Sequence, residues 1–237
     1  MGRVALAWLV HLYTASGAVI ALLSILYLEQ LKFQAVLWLM FLALAIDATD
    51  GVLARGARVK ELIPWFDGAR LDDIVDYLNY VLVPALFMLK AELLPPRDAL
   101  WLAAVPLVAS GYGFAHKEAK TADHFFLGFP SYWNIVAFYQ FVLATPTWVN
   151  GFAVLGFALL VFVPIRYVYP SRTPCYSFLT NAFGTLWVLS AVSIVYLLPR
   201  PPRPLVLASL SFPVYYVALS LWLELQRRRG FHPGTGR

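Results

Sequence analysis

Long runs of apolar residues alternate with short polar loops along the whole chain. A membrane-spanning helix needs about 20 predominantly apolar residues, within a range of about 17–25. Eight segments approach or reach that length, and the fourth and fifth are the shortest. They cover residues 5–28, 35–53, 71–93, 100–114, 131–144, 148–168, 178–198 and 205–225. The pattern therefore predicts an all-α, polytopic integral membrane protein with about eight transmembrane helices.

Composition supports a membrane protein over a soluble one. Hydrophobic residues make up 61% of the chain and charged residues only 13%, whereas soluble domains average about 25% charged residues. No linker, low-complexity tract or internal repeat divides the 237 residues, which predicts a single membrane-embedded domain, 1–237. The first apolar run is longer than the apolar core of a signal peptide, about 7–15 residues, so we expect it to remain as a span.

The basic residues indicate topology and give no sign of a nucleic-acid partner. The net charge of +5 comes from Lys and Arg residues scattered through short loops, and such loops carry more positive charge on the cytoplasmic side. With eight spans, most of the 18 Lys and Arg residues fall on the side that holds both termini. We therefore expect both termini to be cytoplasmic. A count of six or seven spans would exchange the loops and weaken this assignment.

Aspartates are concentrated around the second and third predicted spans. Asp47 and Asp50 stand three residues apart near the end of the second span, and Asp72 and Asp76 stand four apart near the start of the third. Both spacings place the side chains on one helix face. Each carboxylate inside a membrane costs about 2.5–3.5 kcal/mol on insertion scales, so such a cluster is a functional-site hypothesis.

The chemistry of four converging carboxylates points to metal ions. Like charges cannot gather in one place unless cations neutralise them, and an all-oxygen ligand set favours Mg²⁺ or Mn²⁺ over zinc. Two ions about 3.5–4 Å apart would share the four groups, as in phosphoryl-transfer sites. The competing interpretation is a set of structural Asp–Arg ion pairs, which explains one aspartate more readily than the whole group.

Four neighbouring residues add to the hypothesis. Gly51 follows Asp50 directly and, without a Cβ, lets a ligand approach the helix. Arg55 offers a guanidinium that suits a diphosphate, and Gly68 leaves room for a nucleotide to pack closely. Asp73 points away from the Asp72 face, and a solvated or Arg70-paired role explains it as well as a functional one. Asp67 is expected in a loop.

The order of these residues resembles the signature of the CDP-alcohol phosphotransferases. The pattern is Asp47-x2-Asp50-Gly51-x2-Ala54-Arg55-x12-Gly68-x3-Asp72-x3-Asp76. The gap of twelve residues is longer than is common in that family and is similar to the bacterial branch that makes phosphatidylcholine. The segments AWLVHLYTASGAV and KTADHFFLGFPSYWN are also similar to that branch.

This resemblance implies a function and a site. The reaction would be CDP-diacylglycerol plus choline giving phosphatidylcholine plus CMP, in a homodimer of the bacterial inner membrane that faces the cytoplasm. Two Mn²⁺ or Mg²⁺ ions would be held, one by Asp47, Asp50 and Asp72 and the other by Asp47, Asp72 and Asp76. The catalytic residues would be Asp76 as general base, Asp72 and Arg55. By the same resemblance, the donor would be bound by Thr14, Gly51, Ala54, Arg55 and Gly68. From their own chemistry we add three substrate-binding candidates: Lys120 for the donor's phosphate, and Tyr77 and Trp133 for the acceptor. His11 departs from the family's usual Asn at that position.

The sequence says less about the identity of the acceptor alcohol than about the donor. Aromatic faces bind quaternary ammonium groups such as choline, and candidates in the cytoplasmic half are Tyr77, Tyr80, Tyr112, Tyr132 and Trp133. A basic group, Lys117, Lys120, Arg166 and Arg172, would instead suit an anionic acceptor or lipid headgroups. Serine, glycerol 3-phosphate and inositol phosphate therefore stay open as acceptors.

A cation transporter is the competing class of function, because intramembrane carboxylates also mark ion pathways. The later spans are nearly free of carboxylates, and transport gives Gly51, Arg55 and Gly68 no role. We therefore favour the transferase.

Overall fold

The chain folds into apolar helices with very little strand. A computed structural model describes residues 2–119, 121, 125–169 and 176–229. The helices of the first half are α1 (Gly2–Glu29), α2 (Phe33–Gly56), α3 (Val59–Leu62), α4 (Gly68–Asp76), a π-helical turn (Tyr77–Leu82), α5 (Val83–Lys90) and α6 (Ala99–Ala115). Those of the second half are α7 (Trp133–Val142), α8 (Thr147–Phe162), α9 (Ser177–Tyr196), α10 (Arg203–Ser209) and α11 (Ser211–Arg228). Two short strands, β1 (Phe125–Leu127) and β2 (Arg166–Val168), complete the described elements.

The outward-facing side chains of the long helices are apolar. Leu12 on α1 is 66% exposed and Leu159 on α8 is 67% exposed, which water would disfavour and lipid would not. Helices that are hydrophobic all round belong in a large core or a membrane. Within the described residues, four helices are long and apolar enough to cross a bilayer: α1, α2, α9 and the combined segment Arg203–Arg228. The prediction of an all-α, polytopic membrane protein is confirmed.

Each of the eight predicted spans contains helix. The third is one uninterrupted helical segment from Gly68 to Lys90, because α4, the π-helical turn and α5 follow without a break. The helices α7 and α8 have 10 and 16 residues, and at about 1.5 Å per residue neither reaches the thickness of a hydrocarbon core, about 30 Å. The number of crossings therefore stays a prediction.

The sixth predicted span is too long at its C-terminal end. Helix α8 ends at Phe162, and Val163 is already extended, with φ −86° and ψ 121°. Pro164 follows, and a proline disfavours helical geometry in the residue before it. Residues 166–168 form strand β2 instead of continuing the helix.

The sequence analysis also missed a small antiparallel sheet. Strand β1 pairs with β2 in the register Phe125↔Val168, Phe126↔Tyr167 and Leu127↔Arg166. Helix α11 fixes the end of β2, because Tyr216 Oη donates to the Val168 carbonyl at 2.9 Å and the Val168 amide donates to Ser220 Oγ at 3.1 Å. The sheet is thus held by side chains of a predicted span.

The described residues divide into two compact units. The first runs to Leu107 and includes Tyr132–Phe138, and the second contains the other described residues from Val108 on. All the aspartates of the predicted site are in the first unit. The expectation of one catalytic domain over 1–237 is not tested by this division and stays a prediction.

Helix α1 is the centre of the first unit. It packs along α2 and also contacts α3, α4 and α5. At Gly17 the backbones of α1 and α4 come so close that a methyl group on its Cα would overlap Val75 Cγ1. Glycine at this position therefore lets the two helices approach, and this approach brings α4 next to the aspartates of α2.

Candidate metal centre

Three of the predicted carboxylates converge on one point. Asp47 and Asp50 come from α2 and Asp72 from α4, and one carboxylate oxygen of each lies within 4.8 Å of the other two. Oxygens that bind one Mg²⁺ or Ca²⁺ ion lie about 2.0–2.6 Å from it and so no more than about 5 Å from one another. The donor set and its spacing therefore fit a hard divalent cation.

Asp76 completes the wall of the same cleft without belonging to this group of three. It lies one helical turn after Asp72, at the last residue of α4. The cleft encloses about 250 Å³ of empty space, including the part open to solvent. Its lining residues are Thr14, Gly17, Ala43, Ile46, Asp47, Asp50, Asp72, Val75, Asp76, Asn79 and Tyr80. The predicted faces of the second and third spans thus meet at one cleft.

Asp50 is the most buried carboxylate of the three. It is 7% exposed, and Thr14 Oγ1 donates a hydrogen bond of 2.8 Å to its Oδ2 atom. A buried carboxylate needs hydrogen bonds or a cation, because desolvation of an unpaired charge costs several kcal/mol or more. Thr14, which the sequence analysis assigned to the nucleotide, therefore contacts a candidate metal ligand. Its predicted contact with a nucleotide stays a prediction.

Asp47 receives a similar hydrogen bond from Tyr80, which the sequence analysis named only as an aromatic candidate for the acceptor. Tyr80 Oη donates to Asp47 Oδ2 at 3.0 Å, and Tyr80 also interacts electrostatically with Asp76 and Tyr132. Tyr80 follows Asp76 by four residues, so the helical spacing that joined Asp72 to Asp76 extends to it. The sequence therefore contained a signal for Tyr80, although the partner on α2 becomes visible only in the fold.

The helix changes its geometry directly after Asp76. Tyr77–Leu82 is π-helical, and the Val83 amide donates to the carbonyl of Leu78, five residues earlier. The side chain of Asn79 donates both to the Val75 carbonyl, at 3.0 Å, and to the Gly17 carbonyl, at 2.9 Å. Turns of π-helix occur frequently at functional sites. Here the turn is joined to α1 by Asn79, a cleft residue that the sequence analysis did not select.

The residues assigned to the donor nucleotide differ in their surroundings. Within the part of the chain that the structure describes, a Cβ on Gly51 would meet Arg55 Nη1 alone, at 3.3 Å. The backbone there is therefore open to a ligand, and the Arg55 side chain is exposed. Ala54 packs against the cluster formed by Ala7, Val10, Val59 and Ile63.

The His11 ring fills the space on one side of Gly68. A Cβ on Gly68 would lie 2.7 Å from His11 Cε1, so the glycine makes room for the His11 ring. That ring is buried, and its centroid lies 4.4 Å from the centroid of Phe66. Among the described residues, His11 Nε2 has no hydrogen-bond partner. The predicted packing of a nucleotide against Gly68 stays a prediction.

Of the aromatic candidates for the acceptor, Tyr77, Tyr112, Tyr132 and Trp133 are not among the residues that line the cleft. Tyr77 Oη donates to the Leu107 carbonyl at 2.7 Å, and Trp133 is completely buried. Tyr112 belongs to the second unit, whereas Tyr132 belongs to the first. Among the aromatic candidates, Tyr80 is the one that lines the cleft.

The basic candidates and the remaining acidic residues lie elsewhere. Lys120 and Arg172 lie outside the described residues. Lys117 is exposed, and Arg166 is on strand β2 of the second unit. Asp67 caps α4 by accepting from the amides of Ala69 and Arg70, and its Oδ2 atom lies 3.8 Å from Arg70 Nε. The expectation that Asp67 is a loop residue agrees with this position before the helix.

Comparison with known proteins identifies the family. No protein-family model matches the chain. The chain is 40% identical over 223 residues to the phosphatidylcholine synthase of Legionella pneumophila, covering 91% of this chain and 88% of that protein. It is 39% identical over 218 residues to the phosphatidylcholine synthase of Pseudomonas aeruginosa, covering 91% of each. For the phosphatidylcholine synthase of Rhizobium johnstonii the identity is 32% over 232 residues, covering 98% of this chain and 93% of that protein. The chain belongs to the family of bacterial phosphatidylcholine synthases.

Proposed function

We propose that this protein transfers the phosphatidyl group of CDP-diacylglycerol to choline, giving phosphatidylcholine and CMP. The convergence of Asp47, Asp50 and Asp72 in a cleft that Asp76 also lines is the observation that supports it most strongly. Membership of the family supports the same activity along nearly the whole chain. A diphosphate donor needs positive charge beside it, and a carboxylate cleft acquires that charge by holding cations.

Two divalent cations, Mn²⁺ or Mg²⁺, are the cofactors of this proposal. Asp47, Asp50 and Asp72 would hold one ion, and Asp47, Asp72 and Asp76 the other. When bound, the ions neutralise the negative charge that develops on the CMP leaving group. The spacing of the three oxygens fits the first of these ions.

Individual residues of the cleft carry out the remaining steps of the reaction. Asp76 accepts the proton of the choline hydroxyl while the choline oxygen attacks the phosphorus that carries diacylglycerol. The new phosphorus–oxygen bond forms as the bond to the bridging oxygen breaks, and its electron pair leaves with CMP. Arg55 contacts the diphosphate, and Asp72 would serve as a ligand of both ions beside the reacting groups. The donor nucleotide is bound by Thr14, Gly51, Ala54, Gly68 and Lys120.

The cleft also fits the location of the two substrates. Asp50 is near the C-terminal end of α2 and Asp72 is near the N-terminal end of α4, on either side of the loop that holds Arg58 and Lys60. A basic loop of this kind belongs on the cytoplasmic side. The CDP headgroup of the donor then faces the cytoplasm, from which choline arrives, while the acyl chains stay in the bilayer. The proposed setting is a bacterial inner membrane, with both termini cytoplasmic and the enzyme a homodimer.

Choline is the proposed acceptor, and Tyr77 and Trp133 are its predicted binding residues. Within the first unit, the Tyr77 hydroxyl donates to the Leu107 carbonyl and Trp133 is completely buried. A contact with choline therefore requires the ring face of Tyr77 or a movement of Trp133.

An acceptor panel tests the function. Purified protein in detergent receives CDP-diacylglycerol and Mn²⁺ with choline, serine, inositol phosphate or glycerol 3-phosphate in parallel assays. We expect CMP and phosphatidylcholine to form with choline only. Turnover with another alcohol would overturn the acceptor and keep the metal site, whereas folded protein that releases no CMP with any acceptor would overturn the transferase.

A further inference from the structure

The hydroxyl of Tyr80 has a function beyond packing. We propose that Tyr80 is a positioning residue: its hydroxyl fixes the carboxylate of Asp47 and thereby sets the affinity of the cleft for divalent cations. This inference rests on the proposed function only in taking Asp47 as a metal ligand. Tyr80 does not bind the ion itself, because its contact is with the carboxylate.

Tyr80 contacts a candidate metal ligand on another helix. Tyr80 Oη lies 3.0 Å from Asp47 Oδ2, which joins the third predicted span to the second. Asp47 is one of the two aspartates, with Asp72, that the proposal shares between both ions. Residues that hydrogen-bond to a metal ligand orient it, and their loss typically lowers metal affinity about 10–100-fold. A hydroxyl on one carboxylate oxygen fixes the plane of the group and so the direction of the other oxygen.

The burial of Tyr80 supports the same role. Tyr80 is 9% exposed although it lines the cleft, and its hydroxyl therefore reaches Asp47 from the protein side. A buried phenol needs a hydrogen-bond acceptor. Here that acceptor is a candidate metal ligand on another helix, whereas the hydroxyl of Tyr77, three residues earlier, donates to a backbone carbonyl.

The π-helical turn that contains Tyr80 also supports this role. The turn begins directly after Asp76, and it holds one more residue per hydrogen-bonded ring than an α-helix. Tyr80 lies within this turn, so the π-helical backbone sets the direction of its side chain. Asn79 holds the turn in this form by donating to the carbonyls of Val75 and Gly17. The direction of the Tyr80 side chain is therefore fixed by contacts on both sides of the turn.

Thr14 provides the parallel case on the other aspartate of α2. Its hydroxyl donates to Asp50 Oδ2 at 2.8 Å. Asp47 and Asp50 thus each accept a hydroxyl hydrogen bond from a neighbouring helix. Fixing both carboxylates before an ion binds reduces the ordering that binding requires.

The test compares Tyr80→Phe with a matched variant. Tyr80→Phe keeps the ring and removes only the hydroxyl. Tyr13→Phe is the control, because the Tyr13 hydroxyl also bridges to α2, at 2.9 Å from Thr49 Oγ1, but contacts no carboxylate there. Mn²⁺ binding to the purified, full-length proteins without substrate is measured by electron paramagnetic resonance. Thermal unfolding of each variant without metal confirms that it is folded.

We expect Mn²⁺ affinity to fall at least about tenfold in Tyr80→Phe and to stay within about twofold of wild type in Tyr13→Phe. The Mn²⁺ concentration that gives half-maximal CMP release should rise in Tyr80→Phe, and saturating Mn²⁺ should restore most of the turnover. Wild-type Mn²⁺ affinity in Tyr80→Phe would overturn the proposal. So would a higher KM for choline at unchanged Mn²⁺ dependence, which would make Tyr80 an acceptor contact.

The binding measurement also separates this inference from the proposed function. If the wild-type protein binds Mn²⁺ and loses affinity in Tyr80→Phe but forms no phosphatidylcholine, the function would be overturned and the positioning role kept. A wild-type protein that forms phosphatidylcholine while Tyr80→Phe binds Mn²⁺ normally would keep the function and overturn the positioning role.

Discussion

The aspartates of the cleft carry negative charges whose burial within a membrane is unfavourable. Asp50 is almost completely buried and accepts a hydrogen bond from Thr14, and Asp47 accepts one from Tyr80. Hydrogen bonds to charged groups contribute about 1.5–3 kcal/mol each, which is comparable to the cost of a carboxylate on insertion scales, about 2.5–3.5 kcal/mol. These hydroxyls therefore offset part of the cost of burying the aspartates, and bound cations would offset more.

Asp76 has two proposed roles, as the general base and as a ligand of the second ion. Asp76→Asn keeps the shape of the side chain but cannot accept the choline proton as a base. We expect turnover to fall at least 100-fold, since general-base catalysis typically contributes about 10²–10⁴-fold. Donor affinity should stay near that of wild type, because Asp47, Asp50 and Asp72 still hold one ion.

CMP release measures the turnover of Asp76→Asn, and calorimetric titration with CDP-diacylglycerol in detergent measures its donor affinity. Near-wild-type turnover would contradict the assignment of Asp76 as the base.

The sequence predicted the acidic residues of the cleft better than their neighbours. The spacings of three and four residues pair Asp47 with Asp50 and Asp72 with Asp76, and in the fold one carboxylate oxygen each of Asp47, Asp50 and Asp72 lies within 4.8 Å of the other two. The partners of these residues depend on how α1, α2 and α4 pack, and local spacing does not contain that information. Tyr80 was missed as a partner of Asp47 for this reason, and Gly68 proved to contact His11.

At the scale of elements, the crossing of α1 and α4 determines whether the cleft exists. Gly17 lies where a methyl group would overlap Val75 Cγ1, and its carbonyl accepts from Asn79 at the π-helical turn. One glycine thus lets α4 approach α1 and also holds the turn that carries Tyr80. The hydrophobic pattern predicts both helices but not the distance between them.

Gly17→Ala should push α1 and α4 apart, because the side chain of Val75 is branched at Cβ and stiff. We expect a loss of about 1–3 kcal/mol in stability, as for other overpacked cores, together with weaker Mn²⁺ binding. Gly156→Ala is the matched control, since a Cβ at Gly156 would meet no atom of the described residues within 4 Å.

Thermal unfolding and Mn²⁺ titration of both variants check this expectation. A Gly17→Ala protein as stable as Gly156→Ala and with equal Mn²⁺ affinity would show that the close crossing is dispensable.

Elements shorter than a span were the least predictable. The apolar residues of β2 were assigned to the end of the sixth span, because a short apolar run does not distinguish strand from helix. Pro164 was the available signal for the break after Phe162. The π-helical turn has no such signal, since it depends on Asn79 reaching the Gly17 carbonyl of another helix.

At the scale of the whole molecule, the basic loops predict its orientation in the membrane. Arg55, Arg58, Lys60 and Arg70 surround the loop between α2 and α4, next to the candidate metal centre. If this side is cytoplasmic, soluble choline and CMP exchange with the cytoplasm without crossing the bilayer. The lipid product stays in the membrane where it is used.

Fusions at the C-terminus test this orientation. We expect a green fluorescent protein fused there to be fluorescent in bacterial cells and a fused alkaline phosphatase to be inactive, because the last helix ends in Arg227 and Arg228. An active phosphatase with a dark fluorescent protein would place the C-terminus outside and contradict an even number of spans with cytoplasmic termini.

The central claim is that the carboxylate cleft holds divalent cations for phosphatidyl transfer to choline. The most direct measurement is the formation of phosphatidylcholine and CMP from CDP-diacylglycerol and labelled choline, before and after EDTA treatment of the purified protein. The account predicts equal molar amounts of both products, complete loss after EDTA, and recovery on adding excess Mn²⁺ or Mg²⁺. Undiminished phosphatidylcholine formation by the EDTA-treated, metal-free protein would contradict it.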